Sequence, residues 1–182
     1  AYNDSDSGPG HPTTMQLGIN ANLIENNSGY GVYLDNSTGA VMDVSITGNT
    51  IGNNGNTGIY VEGTEIHNQL DLTIEDNVVS NNSGYGLYVN ETSYAFANID
   101  VIGNQFVDNS NTELYFDFNS AFVNLRVQGN TINGNGNGNY GIYLTESREG
   151  LVNVAITDNP VISGNSTGVY LYYTDNQGGQ ND

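Results

Sequence analysis

The sequence predicts an all-β protein, a single-stranded parallel β-helix (solenoid) of about six coils with 27–28 residues in each. Three repeated features lead to this prediction: a glycine–apolar–tyrosine–apolar unit, an asparagine nine residues before most of these glycines, and an apolar pair before each asparagine. Within each segment the apolar residues alternate with polar ones, which indicates strands rather than helices. A unit this short cannot bury its own apolar face, whereas stacked copies can.

The apolar pairs define the first strand of each coil. Their two members lie five and three residues before the asparagine, so alternation places both side chains on one face of the strand. The six pairs are Leu17/Ile19, Val44/Ile46, Leu72/Ile74, Ile99/Val101, Leu125/Val127 and Val154/Ile156. We expect this face to point into the solenoid and the polar residues between to point outward.

An asparagine follows each first strand and is predicted to be structural. Asparagine tolerates turn dihedrals and can hydrogen-bond the backbone with its amide. Identical amides stacked one coil apart can also hydrogen-bond along the axis. The predicted ladder consists of Asn22, Asn49, Asn77, Asn104, Asn130 and Asn159.

The second strand of each coil carries the repeated unit, which begins at Gly31, Gly58, Gly86, Gly141 and Gly168, with Glu113 in the remaining coil. Its apolar residues face the core, so its tyrosine faces outward. These tyrosines, here called the tyrosine strip, are Tyr33, Tyr60, Tyr88, Tyr115, Tyr143 and Tyr170. The residue before the unit alternates in a two-coil period: Tyr30, Thr57, Tyr85, Thr112, Tyr140 and Thr167.

The tyrosine strip has three interpretations. Stacked tyrosines favour strands and cover one another and the backbone, which is a structural role. The strip is also a candidate ligand-binding platform for a sugar chain, with Asp35, Glu62, Asn90 and Asp117 beside it to bond hydroxyls. A self-association face is the third interpretation.

The repeats divide the chain into a β-helix over residues 13–173, an N-terminal leader or partial cap over 1–12 and a C-terminal tail over 174–182. Over about residues 13–173, the pattern [G/D]-N-x-[I/V] followed by G-[I/V/L]-Y-[V/L] resembles the parallel β-helix repeat family. That family includes pectate lyases, alginate epimerases, phage tailspikes and many surface proteins. The resemblance implies a right-handed solenoid, in agreement with the general rule for parallel crossovers, and it specifies no activity.

Composition narrows the function. The formal net charge is −18, with two arginines and no lysine, so nucleic-acid binding is not expected. No apolar run is long enough for membrane insertion. The absence of cysteine excludes disulfides and thiolate metal sites. The abundance of Asn, Gly, Ser, Thr and Tyr is common in extracellular β proteins, and we expect a secreted or cell-surface protein.

The sequence offers little for catalysis. Lyases and epimerases of this fold need a cation or acid to hold the uronate and a base to take its proton. The two histidines, His11 and His67, lie in the leader and in a loop between strands. Arg126 beside Asp100, with Asp71 near, has the composition of a calcium-plus-arginine lyase site. The simpler interpretation is a surface arginine that neutralises carboxylates. No catalytic residue is predicted, and no cofactor.

Calcium is the one metal considered. Outward carboxylates on successive coils could bind it weakly, with Asp43, Asp71 and Asp100 as the candidate ligands. No calcium-loop motif accompanies them.

The sequence therefore predicts a non-catalytic extracellular structural or adhesive subunit that assembles end to end with copies of itself. The alternative is a polysaccharide-binding module of a larger secreted carbohydrate-active or adhesin protein. Lyase or epimerase activity is the least supported reading.

Overall fold

The computed structural model describes residues 14–36, 40–63, 69–92, 95–134, 136, 139–147 and 150–174. Over these residues the chain forms eighteen strands and no helix, so none of them belongs to a helix that could cross a membrane. The leader over 1–12, both histidines and the tail beyond Thr174 lie outside the described residues.

The strands form three parallel six-stranded sheets, and each coil contributes one strand to each sheet. The first sheet consists of β1 (Thr14–Asn20), β4 (Val41–Thr47), β7 (Gln69–Glu75), β10 (Phe96–Ile102), β13 (Phe122–Gln128) and β16 (Leu151–Thr157). The second consists of β2 (Leu23–Glu25), β5 (Thr50–Gly52), β8 (Val78–Ser80), β11 (Gln105–Val107), β14 (Thr131–Asn133) and β17 (Val161–Ser163). The third consists of β3 (Val32–Asp35), β6 (Ile59–Gly63), β9 (Leu87–Thr92), β12 (Leu114–Asn119), β15 (Tyr140–Ser147) and β18 (Thr167–Thr174). The predicted parallel solenoid is confirmed.

The second sheet was not predicted. The repeat suggested two strands per coil separated by a short polar segment, but that segment contains a third strand of three residues. Its central residue points inward in every coil: Ile24, Ile51, Val79, Phe106, Ile132 and Ile162. A single apolar residue per coil is too short a stretch for alternation to be visible in the sequence.

The core fills the interior of the solenoid and is tightest in the middle coils. Phe106, Phe116 and Phe118 are fully buried there. Burial of each such side chain stabilises the fold by roughly 1.5–3 kcal/mol relative to exposure. The sixth coil differs, because Val169 and Leu171 are 39% and 56% exposed.

A left-handed residue turns the chain between the first and second sheets. Each coil has one such residue, with φ between 54° and 69°: Ala21, Gly48, Asp76, Gly103, Gly129 and Asp158 in coils one to six. Glycine adopts this conformation without penalty, and aspartate and asparagine tolerate it better than most residues. This requirement explains the glycine or aspartate before most of the ladder asparagines.

The asparagine that follows this turn is buried and hydrogen-bonded along the axis. The backbone N–H and Nδ2 of Asn77 both donate to Oδ1 of Asn104 at 2.9 Å. Nδ2 of Asn77 also donates to the carbonyl of Ile46 in the preceding coil at 2.8 Å. The coil-to-coil bonds recur from Asn22 to Asn159 at 2.8–3.1 Å. The column therefore satisfies polar groups that would otherwise be buried without partners.

A second asparagine column runs along the next corner and was missed. It consists of Asn27, Asn54, Asn82 and Asn109, whose backbone N–H and Nδ2 groups donate to the next Oδ1 at 3.1 and 2.9 Å. Asn109 instead donates to both carboxyl oxygens of Glu113. The signal was present, because each member lies five residues after a member of the first ladder.

Glu91 is a buried acid in the interior. It is fully buried, and neither carboxyl oxygen has a hydrogen-bond partner among the described residues. The carboxyl group fills the space that a side chain on Gly63, its register neighbour, would take. Burial raises its pKa from 4.5 to about 8, so the neutral acid is the form that the fold accommodates at neutral pH.

Replacing Asn77 by alanine is expected to lower the free energy of unfolding by at least about 2 kcal/mol, because buried groups in two neighbouring coils lose their partners. Urea unfolding measures the change. Asn98→Ala is the matched control, since Asn98 belongs to an exposed amide row on the outer face and should cost less than about 1 kcal/mol. Equal losses in the two variants would contradict the structural role of the buried ladder.

The free energy of unfolding of Glu91→Gln, relative to that of the unmodified chain, is expected to increase as pH rises. The unfolded chain releases the Glu91 proton near pH 4.5, whereas the folded chain keeps it until about pH 8. Glu91 therefore lowers the free energy of unfolding progressively between these values, and fully above pH 8. Glutamine does not ionise, so the difference between variant and unmodified chain should grow across this range in urea titrations. Burial also raises the pKa of Glu113 to about 8 and that of Glu146 to about 7, and these contributions cancel when the two chains are compared. A pH-independent difference would contradict the assignment.

Candidate functional site

The tyrosine strip runs along the outer face of the third sheet, one ring per coil in register. Neighbouring ring centroids are 4.8–5.3 Å apart. Three contacts are stacked, with interplanar angles of 16°, 2° and 20°. Tyr88 meets its two neighbours edge-on, at 83° and 81°. Both arrangements are favourable for aromatic pairs.

The alternating corner tyrosines complete this packing. Tyr30, Tyr85 and Tyr140 each contact the strip ring of their own coil and that of the next coil. Their centroid distances are 4.9–5.3 Å. One corner tyrosine therefore serves two coils, which gives a physical reason for the two-coil period.

The ring faces in the strip are largely occupied by other rings. A sugar ring that stacks on an aromatic side chain needs a free face, whereas these stacked rings cover each other. The two end members, Tyr33 and Tyr170, are 40% and 37% exposed, and the four between are half-buried. This geometry favours the packing role of the strip over the platform role.

The polar residues beside the strip are engaged with its hydroxyls. The Tyr33 hydroxyl donates to Glu62 at 2.9 Å, and that of Tyr88 donates to Asp117 at 3.4 Å. Burial raises the pKa of Tyr33 to about 12 and also raises the pKa of Tyr88, so both phenols stay protonated donors. Burial also raises the pKa of Asp117, and the Tyr88 hydrogen bond opposes that shift.

Asn90 lies beside the next ring of the strip. It hydrogen-bonds Tyr60, which lowers the pKa of that phenol, while burial raises it and dominates. The flanking residues thus orient the tyrosines.

The candidate calcium ligands lie on the outer face of the first sheet and are not gathered into one cluster. Asp43 and Asp71 are register neighbours, whereas Asp100 pairs in register with Thr73, two residues along the strand from Asp71. Gln16 donates to Asp43 at 3.3 Å, and Asn98 donates to Asp71 at 2.7 Å. Within the described ranges, no group of three His, Asp or Glu side chains is arranged to hold a metal. Weak calcium binding stays a prediction.

Arg126 forms a two-pronged ion pair with Asp100. Its Nε donates to Oδ1 at 2.8 Å and its Nη2 to Oδ2 at 3.0 Å. Both side chains are more than 40% exposed, so the pair contributes little to stability. The pair is on the surface, in the arrangement that the sequence suggested for a charge-neutralising arginine.

The structure places two exposed aromatic rings on the same outer face, four residues along the strands from this pair, which sequence reasoning missed. Phe96 and Phe122 are register neighbours, 51% and 37% exposed, with ring centroids 5.1 Å apart and planes 15° from parallel. Both lie three residues before an apolar pair, where alternation points the side chain outward. This position relative to the apolar pairs was the signal from which the exposed rings could have been predicted.

An amide row accompanies the two phenylalanines. Asn153 donates to Asn124 at 3.0 Å and Asn124 to Asn98 at 2.9 Å. Two grooves of about 420 Å³ each share this row, one lined by the phenylalanines and the other by the Arg126–Asp100 pair. We call the groove lined by Phe96 and Phe122, together with the amide row, the aromatic groove. Exposed apolar side chains beside hydrogen-bonding amides suit a ligand that has both apolar and polar surface.

The comparisons with known proteins bear on the fold. A family model described as a right-handed β-helix region matches residues 13–124 and, in an overlapping match, residues 39–181. No curated protein and no solved structure gives a significant match. The matched span includes every strand of the three sheets. The chain therefore belongs to the right-handed β-helix family.

Proposed function

We propose that this chain is a non-catalytic extracellular structural subunit that assembles end to end into a fibre or surface structure. The observation that carries the proposal is the exposed apolar sixth coil. Val154 of β16 is 37% exposed there, whereas Leu125, its register partner in the fifth coil, is 3% exposed. Exposed apolar surface of this kind marks a contact site, and an unpaired strand edge favours pairing with another chain.

Charge distribution supports the same proposal. The chain carries a net charge of −18, yet β16, β17 and β18 contain no charged residue. Two copies can therefore meet at this coil without bringing carboxylates together on that side. The acidic sides of the rod repel one another, which directs growth along the axis.

A charge placed on the sixth coil should block assembly. Val154→Glu is expected to remain monomeric, because assembly would bury an unpaired carboxylate against the first coil of the next copy. Gln105→Glu adds the same charge to the exposed side of the fourth coil and should still assemble. Size-exclusion chromatography and negative-stain electron microscopy measure the outcome. In fibres of the unmodified chain, six coils of about 4.8 Å give an axial repeat of about 29 Å. A stable monomer at every concentration would refute the proposal.

Polysaccharide binding is the second candidate function, and the aromatic groove is the observation that favours it. The exposed apolar surface of Phe96 and Phe122, which are 51% and 37% exposed, is available to pack against a sugar, and the amide row can bond its hydroxyls. The binding surface proposed for this second function is therefore the aromatic groove on the first sheet, and not the tyrosine strip. The glycan would be a neutral polysaccharide, because Arg126 is already paired with Asp100 and the chain has a net charge of −18.

Removing both phenylalanine rings tests this second function. Phe96→Ala/Phe122→Ala is expected to weaken affinity for a bound polysaccharide at least about fivefold, since each of the two aromatic contacts contributes roughly 0.5–1.5 kcal/mol. Tyr33→Ala, which removes an exposed ring from the tyrosine strip, is the matched control and should bind normally. Glycan arrays followed by calorimetry provide the measurement. Loss of binding in Tyr33→Ala alone would assign the ligand to the strip instead.

A further inference from the structure

We propose that the end-to-end contact is directional and in register: the sixth coil of one copy lies on the first coil of the next, and the first asparagine ladder continues across the junction. This inference rests on the proposed end-to-end assembly and specifies its partner surface. It concerns the junction between Asn159 and β16 on one side and Asn22 and β1 on the other.

The hydrogen bonds of the ladder all run in one direction. Each asparagine donates its backbone N–H and its Nδ2 to Oδ1 of the following coil. Asn22 Oδ1 consequently receives no hydrogen bond from any residue that the structure describes. The backbone N–H of Asn159 likewise donates to none of them. Head-to-tail stacking brings this donor to that acceptor, whereas joining two identical ends would place like groups together.

No two like charges would face each other between the first-sheet strands at such a junction. The first-sheet strands that would meet are Thr14–Asn20 and Leu151–Thr157, and neither contains a charged residue. Thr157 would pair with Asn20 of the next copy. Within the chain, Asn20 pairs with Thr47 on its other side, and Thr157 pairs with Gln128. On the inner face, Val154 and Ile156 would cover Leu17 and Ile19, which are only half-buried in the first coil.

The corner alternation also continues without a break. Six coils contain three complete two-coil periods, so Thr167 of one copy is followed by Tyr30 of the next. A junction between two first coils or two sixth coils would break the alternation. At the third sheet, Val32 and Leu34 of the first coil are already buried, so we place the contact on the first and second sheets.

Cysteine cross-linking tests the register, since the chain has no cysteine of its own. Two matched pairs are Asn20→Cys with Thr157→Cys, and Gln16→Cys with Asn153→Cys. Register neighbours in adjacent strands lie about 4.8 Å apart, within the Cα range that a disulfide spans. Within one chain the partners sit in the first and sixth coils, roughly 24 Å apart at 4.8 Å per coil, so only a neighbouring copy can complete the bond.

The same four substitutions provide the controls. Exchanging partners gives Gln16→Cys with Thr157→Cys and Asn20→Cys with Asn153→Cys, which are displaced by four residues, or about 13 Å along the strand. Each single variant tests joining of identical ends. Fibres are first verified by electron microscopy under reducing conditions, then oxidised and run on non-reducing gels. Two matched pairs keep the test decisive if one variant fails to assemble.

We expect both matched pairs to give ladders of covalent multimers, and the exchanged pairs and single variants to give at least about tenfold less. Fibres in which neither matched pair cross-links, or in which Asn20→Cys alone forms dimers, would overturn the directional junction while leaving assembly intact. If the unmodified chain forms no fibres, the proposed assembly itself fails and the junction fails with it.

Discussion

Hydrogen bonding from coil to coil is the constraint on which the rest of the structure depends. No coil can satisfy its own backbone at the corners, because the chain turns there and leaves the ladder of a regular sheet. Asn77 resolves this by donating forward to Asn104 and backward to the carbonyl of Ile46. One side chain thus fixes the spacing of three consecutive coils. The three sheets follow this spacing, with every described strand pair parallel and in register.

The same constraint determines which departures from the repeat are tolerated. Glu113 occupies a position that is glycine in the other coils, and its carboxyl group accepts two hydrogen bonds from Asn109. It therefore takes over the acceptor role of an asparagine in the second column. Glu91 has no such partner among the described residues, and the missing side chain of Gly63 provides its space. The first departure preserves the hydrogen bonds of the column, whereas the second leaves an acid neutral in the interior.

Stacking also makes the sides of the rod different from its ends. Along the side, the rings of the tyrosine strip cover one another, and their hydroxyls bond neighbouring carboxylates. On the first sheet, Phe96 and Phe122 remain exposed beside an amide row. At the sixth coil, residues that face the core elsewhere are exposed and uncharged. The proposed ligand surface therefore lies on one side of the rod, and the proposed contact with a second copy lies at the sixth coil.

Much of this architecture was determined by the sequence alone, because a solenoid repeats one local solution. The spacing of Asn22, Asn49 and their equivalents predicted the coils, the first and third sheets, the outward tyrosines and a stacked amide column. Other features were decided only by the tertiary structure, because they depend on contacts between coils that a linear pattern does not show. The three-residue strands carry one inward residue each, too few for a visible period. Whether a tyrosine face is free or covered depends on ring orientation between coils, and the aromatic groove exists only because stacking places Phe96 against Phe122.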